Sequence, residues 1–159
     1  RNAVVCGCKF TVEEYGRAVL VQTGGERVLI LNGASLVSCE RFLNRNYGGT
    51  LSAVVVAGED EFAEIGIAAF LPAEEIYARE EIFTGLQETE VKFAEEFTVG
   101  ELGFRFESAT KLAVFYGELV AEIDLNFSAA LGAYLFIGAD SFGCTYYLNG
   151  GNVYKLLWE

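Results

Sequence analysis

The chain has 159 residues, 52% hydrophobic and 21% charged, with a single Pro; this supplies one sizeable core and excludes a disordered polymer. The net charge is −12 and the 11 Lys and Arg are scattered singly, so tight direct binding of DNA or RNA is not expected. His is absent altogether, which excludes Ser-His-Asp, Cys-His and zinc-histidine chemistry. No apolar run approaches the roughly 18 residues of a membrane helix. Arg1-Asn2-Ala3 does not open a signal-peptide pattern. The chain reads as a single domain, residues 1–159, cut from a longer polypeptide.

The apolar run Ala3–Val12 predicts a first strand. A β-rich run over Arg17–Thr23, the turn Gly24-Gly25-Glu26 and the apolar run Arg27–Leu31 predict a hairpin whose second strand is buried on both faces. Asn32-Gly33 ends it. Ser35 then caps a helix over Leu36–Asn46, with Leu36, Cys39, Phe42 and Leu43 on one face. Tyr47-Gly48-Gly49 stops this helix, and Leu51–Ala57 reads as a buried strand. The acidic segment Gly58-Glu59-Asp60-Glu61 opens a second helix, which runs to about Phe70 before Leu71-Pro72 breaks it. A short strand over Ile76–Ala78 and a short helix over Glu80–Leu86 come next. From Glu90 the period changes to two, which predicts strands at 91–97, Leu102–Phe106, Lys111–Tyr116, Leu119–Leu125, Ala133–Ile137, Thr145–Leu148 and Val153–Trp158. The Asn149-Gly150-Gly151-Asn152 turn joins the last two. A hairpin, a helix, a further strand and a second helix predict a layered α/β (α+β) core.

The chain lacks a phosphate-cradling Gly-x-x-x-x-Gly-Lys-Ser/Thr run and the dinucleotide Gly-x-Gly-x-x-Gly run. Carboxylates remain. Glu59, Asp60, Glu61 and Glu64 crowd the segment after a buried strand, where α/β sheets place ligands. They read first as a solvated helix start that complements the dipole; convergent acids can instead hold calcium, magnesium or manganese through oxygen. Asp124 and Asp140 each follow an apolar strand and are candidates for general acid–base work. Cys6, Cys8, Cys39 and Cys144 lack zinc-ligand spacing and read as small apolar residues, with their redox state left open.

The stretch from Phe10 to Gly33 resembles the opening of metallo-β-lactamase-type domains, in particular the one that ends the ComEC/Rec2 family of DNA-uptake membrane proteins. Ala18–Val21, Gly24-Gly25 and Leu29-Ile30-Leu31-Asn32-Gly33 carry the likeness. Asn32 stands where that family has Asp, and Arg17 follows Gly16 where Asp is expected. Ala53–Val56 is similar to the family's next strand, and Ala57–Ala63 occupies its Ser/Thr-His-x-Asp-x-Asp-His slot. There Asp60 is kept, whereas Gly58, Phe62 and Ala63 bring no side chain that ligates zinc. Asp124 falls at the bridging carboxylate and Asp140 near the late His; the specific part of the likeness spans about residues 10–66.

The resemblance implies an αββα four-layer sandwich, truncated or reduced, excised from a membrane protein. It implies a domain whose metal site is lost: no catalytic residues, no resident cofactor and no zinc, with Asn32, Glu59, Asp60, Asp124 and Asp140 as a vestigial acidic pocket. Magnesium, manganese or calcium would bind only if those acids converge. The implied partners are other regions of a parent channel or competence proteins, and the implied location is at a membrane through the parent chain. Two alternatives stand beside it: a nuclease- or phosphodiesterase-like hydrolase with a rebuilt carboxylate site, and an unrelated acidic binding module.

Overall fold

The computed structural model describes residues 2–4, 11–15, 17–46, 50–79, 90–117, 119–125, 134–139, 144–149 and 152–156. The first half builds a seven-stranded mixed sheet. Its strands are β1 (Asn2–Val4), β2 (Thr11–Tyr15), β3 (Ala18–Gln22), β4 (Arg27–Leu31), β5 (Leu51–Val56), β6 (Ala73–Ala78) and β7 (Lys92–Phe93), in that spatial order. Neighbours from β1 to β4 are antiparallel. Those from β4 to β7 are parallel.

The change of sense follows from the connections. Between β3 and β4 the Thr23 hydroxyl accepts from the Glu26 amide at 3.0 Å and closes a tight hairpin turn. Each of the next two parallel steps carries a helix, as a crossover requires. Helix α1 (Leu36–Asn46) starts at Ser35, whose hydroxyl accepts from the Ser38 amide at 3.1 Å. It buries Cys39, Phe42 and Leu43, the face expected from their spacing. Helix α2 (Glu61–Ala68) buries Ile65 and Ala68 and ends two residues short of the expected Phe70, which is 76% exposed.

The second half is an antiparallel meander. Strands β8 (Glu96–Val99), β9 (Leu102–Ser108), β10 (Lys111–Tyr116), β11 (Leu119–Asp124), β12 (Tyr134–Ala139), β13 (Cys144–Asn149) and β14 (Asn152–Leu156) lie side by side in chain order. Gly100 and Gly117, with φ of +56° and +60°, make the β8–β9 and β10–β11 turns, a backbone region that favours Gly.

Two apolar layers hold these parts together. One lies between the sheets and joins Val19, Val28, Ile30, Val55 and Tyr77 to Leu102, Phe104, Leu112, Val114 and Ile123. The other lies between the first sheet and both helices and joins Leu20, Leu29, Leu31, Val54 and Val56 to Phe42, Leu43 and Ile65. The first sheet is therefore covered on both faces, which explains why Val28–Leu31 and Ala53–Val56 read as unbroken apolar runs.

The layering is helix, sheet, sheet, and this corrects the αββα expectation. Among the described residues both helices pack on the first sheet, and no helix covers the second. The reason lies in the outer face of β9–β11. Arg105, Glu107 and Lys111 are exposed there, and Arg105–Glu107 (3.1 Å) and Lys111–Glu122 (3.8 Å) pair across it. Ala113, Phe115 and Val120 share this face, but the Arg105 guanidinium lies over the Phe115 ring at 4.9 Å and charged pairs flank it, so the face is largely polar. The period-two pattern after Glu90 also supplies no amphipathic helix to lie on it. The single strand expected over Ala3–Val12 is also corrected, since β1 and β2 are separate strands paired antiparallel. The helix expected over Glu80–Leu86 lies outside the described residues. Among the described residues no helix is long and apolar enough to cross a membrane, a statement about helices alone.

Candidate functional site

Parallel strands β4, β5 and β6 end on the same side of the first sheet, and α/β sheets place ligands outside such carboxyl ends. Asn32-Gly33 follows β4, Ala57–Asp60 follows β5, and Arg79 follows β6. The first two loops are stitched to the sheet by backbone bonds. The Asn32 amide donates to the Arg17 carbonyl and the Ala57 amide to the Leu31 carbonyl, both at 2.9 Å.

A carboxylate joins these loops. Glu64, in the first turn of α2, is only 3% exposed. Its Oε2 accepts from the Gly33 amide and its Oε1 from the Gly58 amide, each at 2.6 Å. These are short, charge-assisted bonds, and they hold the β4–α1 loop to the β5–α2 loop. Burial pushes the Glu64 carboxyl above its ordinary range; the two amides pull it down, and the Asp60 and Glu61 charges push it further up. Both loop glycines are required by this geometry. Gly33 has φ of +92°. A Cβ on Gly58 would lie 2.5 Å from Glu64 Oε1 and 2.7 Å from its Cδ.

Beside this latch lies a cleft of about 260 Å³ between the ends of the two sheets. One wall is Asn32, the Ala57–Glu59 loop, Glu61 and Arg79. The other is the Ala109-Thr110 turn between β9 and β10, together with Leu125 after β11. The second wall is fixed by the Leu125 amide donating to the Thr110 carbonyl at 2.7 Å, and Asn32 Nδ2 reaches the Leu125 carbonyl across the cleft at 3.4 Å. Arg79 lies with its guanidinium 4.3 Å from the Phe106 ring centre, and its Nη1 donates to the Ala109 carbonyl at 3.4 Å. Its Nε and Nη2 are buried without a hydrogen-bond partner among the described residues.

The acids expected to form a pocket separate into different roles. Asp60 is the N-cap of α2, its Oδ1 accepting from the Ala63 amide at 3.1 Å. Glu59 is exposed and lines the cleft, and Asn32 is 6% exposed and lines it too. Asp124 closes β11, paired with Lys111 and Tyr134 in register, but its side chain lies outside the described part. Asp140 lies outside the described residues, as do Cys6 and Cys8. Phe62 is 60% exposed, Ala63 is exposed, and Gly58 has no room for a side chain. Among the described residues no three His, Cys, Asp or Glu side chains are grouped so as to hold a metal ion. Cys39 is buried under α1, and burial pushes its thiol up to about 11, so it is a packing residue rather than a nucleophile.

Sequence reasoning missed two residues. Glu64 reads as one more acid of a solvated helix start, and the structure corrects this: it is the most buried acid of the segment. A glycine six residues before it, at the end of a buried strand, is the only local hint of the contact. Arg79 carries no sequence signal beyond its place after β6. Comparison with known protein families, with curated proteins and with solved structures finds no match.

Proposed function

We propose that this is a non-catalytic binding domain, an accessory module of a DNA-uptake membrane protein of the ComEC/Rec2 kind, which uses the cleft at the ends of β4–β6 as its recognition surface. The observation that carries the reading is the use to which the local acids are put. Asp60 caps a helix, and Glu64 ties two backbone amides together. A hydrolytic metal centre needs such carboxylates free, with an open coordination position for water. The slot that the resemblance gives to the first metal-binding imidazole is Gly58, and the Glu64 carboxylate fills the space a side chain would take there. The segments carrying the resemblance, Ala18–Val21, Leu29–Gly33 and Ala53–Val56, are neighbours as β3, β4 and β5 with the loop after β4. The net charge of −12 turns the domain away from phosphate backbones and toward protein or small-molecule partners.

The test is metal analysis of the purified domain together with phosphodiesterase and nuclease assays in added zinc, manganese or magnesium. The expected result is no turnover above buffer with any of the three. Stoichiometric bound metal with turnover would overturn the reading and favour a rebuilt carboxylate hydrolase.

A further inference from the structure

Helix α2 is apolar on the side that faces water. A helix lying on a sheet normally turns polar residues outward. The two polar residues of α2 lie elsewhere: Glu64 is buried in the latch and Glu61 lines the cleft. The outward side carries Phe62, Ala63, Gly66, Ala69 and Phe70. Phe62 and Phe70 are 60% and 76% exposed, and Ala63 and Ala69 are exposed as well. Helical geometry continues past Ala68, since the Ala69 amide donates to the Ile65 carbonyl and the Phe70 amide to the Ile67 carbonyl, both at 3.0 Å. Phe70 therefore stays on the side of Phe62 and Gly66. Gly66 weakens the middle of this helix, because Gly is a poor helix former. Nothing inside the domain requires it, since a Cβ there would meet no atom within 4 Å. A glycine that the domain's own packing does not need, on an open apolar side, fits the close approach of a backbone from outside.

We propose that α2 is the contact of a weak homodimer. Two copies of the helix cross antiparallel, Gly66 against Gly66, with Phe62 of each copy against Phe70 of the other. The side chains are arranged for this. Phe62 and Phe70 stand four residues to either side of Gly66, and Ala63 and Ala69 three. Such a surface is self-complementary under a two-fold axis through Gly66. Charge argues for the same occupant. The outward side holds no Lys, Arg, Asp or Glu to draw a charged partner, and a net charge of −12 repels anionic lipid. Area sets the strength. Phe side chains bury roughly 150–250 Å² each, so at these exposures the face buries on the order of 300–400 Å² per copy. That is about half of what a stable interface buries per partner, so the dimer is concentration-dependent. The contact is separate from the cleft and goes beyond its reading as a recognition surface.

The experiment is sedimentation equilibrium of the intact chain from about 10 µM to about 1 mM, the range in which a contact below standard size associates. The expected result is a mass that rises from 17.4 kDa toward twice that value. The rise should be steeper in high salt, which screens the repulsion between two acidic copies. Phe62→Glu and Phe70→Lys each put a charge into the contact and should weaken association about tenfold or more. Both charges suit the helix dipole at their own end of α2, so far-UV circular dichroism should show the fold kept. Mixing Phe62→Cys with Phe70→Cys under mild oxidation should give a 62–70 disulfide between copies in excess over 62–62 and 70–70, read by peptide mass spectrometry. A monomer mass at every concentration would overturn the proposal, and flotation of that monomer with phosphatidylcholine vesicles would assign the face to lipid. Association that Phe62→Glu and Phe70→Lys leave unchanged, that weakens with salt, or that gives no preference for the 62–70 disulfide would overturn it too. None of these outcomes bears on the metal and turnover assays, so failure of the dimer is distinguishable from failure of the non-catalytic reading.

Discussion

The contact between Gly58 and Glu64 can be measured as a coupling energy. In Gly58→Ala the new Cβ would sit 2.5 Å from Glu64 Oε1, closer than real Cβ atoms approach, so the carboxylate must move. Moving it breaks the 2.6 Å bond from the Gly58 amide and misaligns the one from Gly33. Hydrogen bonds to charged groups contribute roughly 1.5–3 kcal/mol each. Relief of the burial that raises the Glu64 carboxyl offsets part of that loss, so the net cost is about 2–4 kcal/mol. Glu64→Ala removes the same two bonds and should cost about the same. In the Glu64→Ala background the obstruction is gone. Gly58 is not among the positive-φ glycines, so Ala there should be neutral or stabilising by up to about 1 kcal/mol. Urea unfolding monitored by far-UV circular dichroism on the two single variants and the double variant gives the cycle. The expected coupling is about 2–4 kcal/mol, with the double variant no less stable than Glu64→Ala. Additivity within about 0.5 kcal/mol would refute the latch.

Further predictions concern the same region. Because burial raises the Glu64 carboxyl, the folded state favours its protonated form; the contribution is fully present below the ordinary 4.5 and is lost as pH rises through the folded value. The stability advantage of the parent over Glu64→Ala should therefore be larger at the acid end of that window than at pH 7, and an advantage that shrinks on acidification would contradict the burial argument. Gly33→Ala meets a φ of +92° and an Arg17 side chain 3.1 Å from the new Cβ, so it should cost about 1–2 kcal/mol in urea unfolding. With its thiol pushed up to about 11 under α1, Cys39 should resist alkylation at pH 8 in the native protein and react on unfolding, as read by peptide mass spectrometry. Rapid native labelling of Cys39 would show that α1 opens readily.

Much of the first sheet was legible because pattern and environment agree there. Val28–Leu31 and Ala53–Val56 are apolar without alternation, and the structure covers them from both sides. The turn at Gly24-Gly25, the Ser35 cap and the α1 face arise from local chemistry that tertiary contacts do not override. The fourth layer was wrong for a reason present in the chain. Arg105, Glu107 and Lys111 alternate with apolar residues and describe a solvent-facing sheet, while the likeness over residues 10–66 carries no information about the C-terminal half. The site was less legible. Glu64 and Gly33 are 31 residues apart, and only the parallel pairing of β4 with β5 brings their loops together. Gly58 reads in the sequence as a missing ligand, whereas in the structure it is the space that a carboxylate needs. Arg79 gains its meaning from the β9–β10 turn, which belongs to the other sheet.

The most direct test of whether Glu64, rather than a metal ion, closes the ends of β4 and β5 is the amide spectrum of Gly33 and Gly58 with and without stoichiometric zinc. The expected result is two downfield, exchange-protected amide protons that are unchanged by zinc and lost together in Glu64→Ala. Amides that shift with one equivalent of zinc, or that persist unchanged in Glu64→Ala, would contradict it.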